Sequence, residues 1–300
     1  MLKTELRAFH AVARYGGFSR AAEALHVSQP TLSTQVKELE QRYEIELFNR
    51  RGREVHLTNA GKELVEITSR LVQAEQDAEN LLDSFRGLDA GALNLAAVGP
   101  FHATDMIVAF KQKYPLVNVE VRFGNSSRCF ESILAYNADV GIIAEVPSDE
   151  RVTTIPYSTH DVVVFVNSDH PFFNRESISI AELTGQKTVR RETGSTTRMA
   201  IERELDKRKI AIETVLELGS REAIWKAVEQ GLGIGFVADF EFVAHPNLRA
   251  VRIADAKVQT NYYLAFLTER KDSRVVQTFC NDAIKQIKKL KRKKGKSKKS

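Results

Sequence analysis

The chain has 300 residues, 43% hydrophobic and 28% charged, which is room for two ordinary domains and not the composition of a disordered protein. No apolar run approaches the ~18–20 residues that span a bilayer. The N-terminal MLKTELRAFHAVARYGG lacks the apolar stretch of a signal peptide, so a cytoplasmic protein without a membrane partner is expected. The net charge of +5 is unevenly spread. Residues 1–58 carry nine basic and seven acidic side chains, residues 59–284 carry 25 and 32, and residues 285–300 carry ten basic and none acidic. Such a tail is expected to be solvated and disordered, attracting polyanions without reading sequence. Cys129 and Cys280 form no metal or redox spacing and are expected as reduced thiols.

Short helices open the chain. Leu6, Phe9 and Ala13 share a face of the first, and Gly16-Gly17 ends it. Ser19 is positioned to cap a second helix with Ala21, Ala22 and Leu25 facing inward. Ser28 then caps a third, whose first turn tolerates Pro30 because an N–H is not needed there. ELFNRRGREVHLT reads as a small hairpin turning at Arg51-Gly52, with Arg50, Arg51 and Arg53 at its tip. A long helix from about Asn59 to Phe85 follows. Its apolar residues Leu64, Ile67, Leu71, Ala74, Ala78, Leu81 and Phe85 are spaced alternately three and four apart, a heptad seam that pairs helices of two copies. From LNLAAVG onward, apolar strands alternate with amphipathic helices, which predicts parallel α/β sheets in two lobes with a cleft lined by loops at the strand ends.

The third helix shows what the head is for. Leu32, Val36 and Leu39 define a buried face, while Gln29, Thr31, Ser33, Thr34 and Lys37 line the other with hydrogen-bonding groups and one cation. Two helices joined by a tight turn, with such a front on the second, form a helix-turn-helix. The major groove admits one helix, where Gln pairs with adenine, Thr offers a methyl to thymine and Ser suits bases or phosphates. The candidate DNA-binding residues are Ser28, Gln29, Pro30, Thr31, Ser33, Thr34 and Lys37, with Arg50, Arg51 and Arg53 as a basic wing on double-stranded DNA.

The segment FSRAAEALHVSQPTLSTQVKELEQRYEIELFNRRGREVHLTNAGKEL closely resembles the winged helix-turn-helix of LysR-type transcriptional regulators. GALNLAAVG, ADVGIIA and SREAIWKAVEQGLGIGFV resemble their effector domain less tightly. The resemblance covers residues 1–290, and the lysine-rich extension departs from it. It implies an α/β multidomain chain: a winged helix-turn-helix at 1–58, a dimerising coiled-coil linker helix and hinge at 59–90, and a two-lobed, periplasmic-binding-protein-like effector domain at 91–290. Lobe I is expected at about 91–161 with 267–290, lobe II at about 162–266, and the basic tail at 291–300. It also implies a dimer or tetramer on a promoter inverted repeat, a small metabolite between the lobes, contact with RNA polymerase, and no cofactor.

Four hydroxyl-rich loops, PFHATD, GNSSR, ETGSTTR and GSR, are expected at the cleft. Three precede helices, whose free N–H groups and dipole favour an anion of carboxylate, sulfonate or phosphonate kind. The candidate effector residues are Phe101, His102, Thr104, Asn125, Ser126, Ser127, Arg128, Glu145, Thr193, Ser195, Thr196, Thr197 and Ser220. Arg198 is a further countercharge, and Asp105, Glu145 or Asp239 would suit an amine if the effector is zwitterionic. Each Ser or Thr alone also reads as a plain helix cap. The Gly-rich GLGIG at 231–235 lacks dinucleotide-site spacing and reads as a helix end. No catalytic or metal-binding motif stands out. The alternatives are an α/β enzyme or a two-lobed small-molecule-binding protein with an accessory nucleic-acid-binding head.

Overall fold

A computed structural model describes residues 2–51, 54–85 and 91–297, and the side chains of these except 50, 51, 54, 80, 81, 83–85 and 291–297. The chain divides into two compact units, Met1–Leu88 with Ala135–Asn137, and Asp89–Leu134 with Ala138–Ser300.

In the first unit, helices α1 (Leu2–Tyr15), α2 (Phe18–Ala24) and α3 (Gln29–Tyr43) pack around Phe9, Val12, Leu32, Val36 and Leu39, all 2% exposed or less. Arg42 of α3 forks onto both carboxylate oxygens of the buried Glu5 of α1, at 2.7 and 2.8 Å. Glu40 Oε1 accepts from the Leu47 amide at 2.8 Å and ties α3 to the hairpin of β1 (Phe48–Arg51) and β2 (Glu54–Leu57). The turn residues Gly52 and Arg53 lie outside the described residues, so the expected position of Arg53 is not among them. Two local expectations are corrected. Helix α2 starts at Phe18 with Gly17 as its cap, one residue before Ser19 would set it, and the Phe18 ring packs on Phe48 at 5.9 Å. Leu25 sits beyond the last turn of α2, 42% exposed rather than inward, because the helical period stops at Ala24.

Helix α4 (Asn59–Phe85) presents two faces. Thr68 and Ser69 are buried, and Glu75 takes Lys3 at 2.8 Å and Arg7 Nε at 2.8 Å from α1. Of the seam, Ile67 is 55% exposed, Ala74 and Ala78 are exposed, and Leu64 and Leu71 are half-buried. The side chains of Leu81 and Phe85 lie outside those described.

The second unit alternates β3 (Gly91–Ala97), α5 (Pro100–Lys113), β4 (Val117–Phe123), α6 (Ser126–Leu134) and β5 (Val140–Ala144). The 16-residue β6 (Val152–Asn167) then leads into β7 (Ser177–Ile178), β8 (Lys187–Arg191), α7 (Thr196–Lys207), β9 (Glu213–Leu218), α8 (Arg221–Glu229) and β10 (Gly235–Ala238). Finally β11 (Leu248–Ile253), β12 (Gln259–Leu267) and α9 (Arg274–Ser297) complete the unit. The main sheet runs β4-β3-β5-β12-β6-β11-β7, with β10 also on β6, while β8 and β9 pair alone.

Only part of this sheet is parallel as expected. β3 pairs in parallel with β4 and β5, whereas β12 and β6 are antiparallel to their neighbours. The reason is connectivity: β6 leaves the first lobe, β12 returns to it, and strands that go out and come back side by side must oppose. Val152–Asp161 of β6 pairs with β12, and Val162–Asn167 pairs with β10 and β11, so one strand serves both lobes. Because β12 pairs with β5 from Tyr262 to Ala265, residues 259–266 belong to the first lobe, which corrects the boundary expected at 266/267. The lobes have separate cores, around Leu95, Ile142 and Phe279 in one and Val164, Ile201 and Val251 in the other. Helix α9 continues to Ser297, so the backbone of residues 285–297 is helical where a disordered tail was expected. Lysine and arginine are good helix formers, and cations suit the last turns of a helix.

Candidate DNA-reading face and effector cleft

The α3 front is built locally. Ser28 Oγ accepts from the Thr31 amide at 3.2 Å, Pro30 occupies the first turn, and the Ser28 and Thr31 hydroxyls lie 2.7 Å apart. Gln29, Thr31, Thr34 and Lys37 are exposed over the buried Leu32, Val36 and Leu39, and Ser33 is half-buried at the edge. Ser19 of α2 donates to Gln29 Oε1 at 3.3 Å, which holds that side chain at the front of the helix. The hairpin strands carry Arg50 and Arg51, whose side chains lie outside those described.

In the second unit, helix N-termini from opposite lobes face each other. Asn125 Oδ1 accepts from the Arg128 amide at 3.0 Å and caps α6, and its Nδ2 crosses the cleft to Glu192 Oε1 at 3.1 Å and the Thr193 carbonyl at 3.2 Å. Gly194 follows at φ +89, and a Cβ there would lie 3.0 Å from Ser127 Oγ, so both backbone angle and space call for glycine. Ser195 caps α7, and Ser195, Thr196 and Thr197 are all buried. Ser126 Oγ accepts from the Ala144 amide at 3.3 Å, locking α6 onto β5. Burial pushes the Glu192 carboxyl up, but Arg191 at 2.8 Å and the Asn125 amide outweigh it, and Glu192 stays below the usual carboxylate range. Arg128 is exposed beside Gly124 and makes no ion pair among the described residues.

Other expected residues are placed differently. Arg198 is turned away, taken up by Glu202 at 2.9 Å, Glu217 at 3.0 Å and the Arg191 carbonyl at 3.0 Å. Ser220 caps α8 and donates to Glu222 at 2.6 Å, so its hydroxyl is engaged at the helix end. Thr104 and Asp105 lie exposed on α5. His102 stacks on Phe240 at 4.0 Å beside Phe101, Tyr157 and Tyr262, and Asp239 holds His160 Nδ1 at 2.8 Å in the same cluster. Glu145 pairs across the lobes with Arg203 at 3.3 Å.

Two arginines matter that the loop-by-loop reading left out. Arg221 Nη1 donates across the lobes to the Val98 carbonyl at 2.7 Å, and its Nη2 pairs with the buried Glu241 at 3.0 Å. A Cβ on Gly99 would lie 2.5 Å from Arg221 Nη1, so a bare backbone makes room for the guanidinium. Arg191 and Arg221 line one small void with Thr197. The available signal was position: Arg191 ends a strand and Arg221 opens a helix, the places where α/β folds gather ligand-facing groups. Both cysteines are buried and unpaired, their thiols pushed up to about 12 by burial. Among the described residues, no group of His, Cys, Asp and Glu could hold a metal, and no helix is long and apolar enough to cross a membrane.

These two arrangements, a helix presented to a groove and a two-lobed small-molecule domain, define a ligand-responsive DNA-binding regulator. The model of the bacterial regulatory helix-turn-helix protein, lysR family, matches residues 4–62, and that of the LysR substrate binding domain matches residues 86–286. The chain belongs to the LysR family: it is a DNA-binding transcriptional regulator modulated by a small metabolite. The HTH-type transcriptional activator CmpR of Synechocystis sp. is 27% identical over 280 residues, covering 92% of each chain. The RuBisCO operon transcriptional regulator of Allochromatium vinosum is 32% identical over 236 residues, 78% of each. The regulatory domain of Synechocystis CcmR, solved in complex with 2-PG, superposes with a TM-score of 0.60 at 26% identity, over 64% of this chain and 95% of that one. The named relatives are transcriptional regulators rather than enzymes.

Proposed function

We propose that α3 reads operator bases through Gln29, Thr31 and Thr34, with Ser28, Ser33, Lys37 and the wing arginines Arg50, Arg51 and Arg53 on phosphates or neighbouring edges. The observation that carries this is the Ser28-capped front turn, polar and exposed above a fully buried Leu32 and Val36. The α4 seam pairs two copies, so two heads meet two halves of an inverted repeat, as a dimer or a pair of dimers. A small anion sits between the N-termini of α6 and α7, held by their free amides, Ser127 and Arg128, with Arg191 and Arg221 supplying charge nearby. The 2-PG found on CcmR supports an effector of this kind. Its binding biases the lobes, and through them the heads, toward one DNA-bound arrangement, with RNA polymerase a partner at the promoter. The readings as a catalyst or a transport protein gain no observation.

The test is anisotropy on the DNA upstream of the chain's own gene and on a scrambled duplex, with and without 2-PG. The wild type prefers its operator, and Gln29→Ala loses about ten-fold or more of that preference while binding the scrambled duplex unchanged, as expected for one bidentate base contact worth about 1–3 kcal/mol. Equal loss on both duplexes would show Gln29 acting on phosphates only.

A further inference from the structure

A cavity of about 330 Å³ lies between the start of α5 and the α8 face that carries Trp225, away from the facing N-termini of α6 and α7. Phe101, Trp225, Val243 and Leu248 give it apolar walls, and its size falls at the lower end of small-molecule sites. Glu241 lines it at 2% exposure. Arg221 satisfies one oxygen of that carboxylate, and the other, Oε2, is buried with no hydrogen-bond partner. Unmet buried acceptors are rare in folded proteins and call for a donor.

The surrounding charges say what kind of donor. Arg221 is already committed to Glu241 and the Val98 carbonyl, and Lys226 to Glu229 at 2.7 Å. His245 also faces Glu229, at 3.7 Å. Three carboxylates, Glu222, Glu229 and Glu241, line the cavity against Arg221 and Lys226, so an added anion would find no free cation and a surplus of negative charge. We propose that this cavity is a second ligand site, for a small aromatic molecule that bears an amine or hydroxyl and no negative charge. Its ring lies against Trp225, Phe101 and Val243, and its N–H or O–H donates to Glu241 Oε2. Arg221 grips Glu241 and the opposite lobe at once, so occupancy here acts on the same lobe-to-lobe strap that borders the anion cleft.

Trp225 is the chain's single tryptophan, so its emission reports this cavity directly. The full-length protein is titrated with benzylamine and p-cresol as donors, toluene as a ring without a donor, and benzoate as an anion. Benzylamine and p-cresol change the emission saturably, toluene binds about ten-fold more weakly or worse, and benzoate gives no saturable change. Val243 is 48% exposed at the rim, so Val243→Arg fills the mouth without touching the core, and it abolishes the benzylamine response. Glu241→Gln weakens benzylamine about ten-fold, and a melting curve shows whether that variant is folded. No saturable response to either donor, toluene or benzoate binding as well as benzylamine, or an unchanged response in Val243→Arg would each overturn the assignment. A 2-PG titration run alongside reports on the anion cleft independently.

Discussion

Glu5 and His10 on α1 are both buried polar residues, and each has a different answer to its desolvation. Glu5 keeps its charge because Arg42 forks onto both its oxygens. His10 lies against Thr68 of α4 with its Nδ1 3.3 Å from the hydroxyl, and burial, then the Arg14 charge, push it down to about 4. A base whose folded pKa lies below its unfolded value near 6.5 binds fewer protons in the native state, so stability rises with pH across that interval. The first unit should hold the full His10 contribution above about pH 6.5 and lose it progressively toward pH 4, by at most about 3 kcal/mol. Urea melts of wild type and His10→Leu between pH 4 and 7 check this, with the pH-dependent component expected to vanish in the variant. The sequence placed Phe9 in the core but gave no hint of this pair, because Thr68 lies 58 residues away on another helix.

At the scale of elements, α4 was legible from end to end because its heptad pattern and the Gly87 that follows it are local signals. Its second face was not. Thr68 and Ser69 read as polar surface, yet both are buried, their hydroxyls returned to carbonyls one turn back, Ser69 to Val65 at 2.7 Å and Thr68 to Leu64 at 3.0 Å. That lets α1 cover one side while Ile67, Ala74 and Ala78 stay open on the other. Placing charge on the open side, as Ile67→Glu with Ala74→Glu, should leave the melting of the unit within about 0.5 kcal/mol per substitution, since nothing in the unit packs there. Sedimentation should instead report a shift from dimer to monomer. An unchanged mass would mean that copies associate through another face.

For the whole second unit, the question is which contacts decide whether the lobes close on a ligand. Glu145 and Arg203 pair across the lobes at 3.3 Å, but Arg203 is 58% exposed, and such a pair is worth about 0–1 kcal/mol. Asn125 both caps α6 and spans the cleft through a buried amide. Glu145→Gln should therefore change 2-PG affinity by no more than about three-fold, and Asn125→Ala by about ten-fold or more, read by calorimetry. The converse ranking would place closure at the outer ion pair instead of at the facing helix ends.

The amino-acid sequence by itself determined the elements of this protein and the chemistry of its head. Helical period, the Ser28 cap with Pro30 behind it, and the polar front from Gln29 to Lys37 all act over one or two turns, so neighbours in the chain suffice to specify them. The hydroxyl-rich loops were visible for the same reason, as helix starts. Tertiary structure alone decided their fates: Asn125 and Thr193 meet, Ser220 and Arg198 are spent within their own lobe, and His102 goes to an aromatic stack. It also decided that β12 belongs with β5, and that Arg221 reaches the carbonyl of Val98, 123 residues away. A guanidinium or a strand edge can accept many partners of the right chemistry, and only the packed arrangement of both lobes selects which one lies within hydrogen-bonding distance.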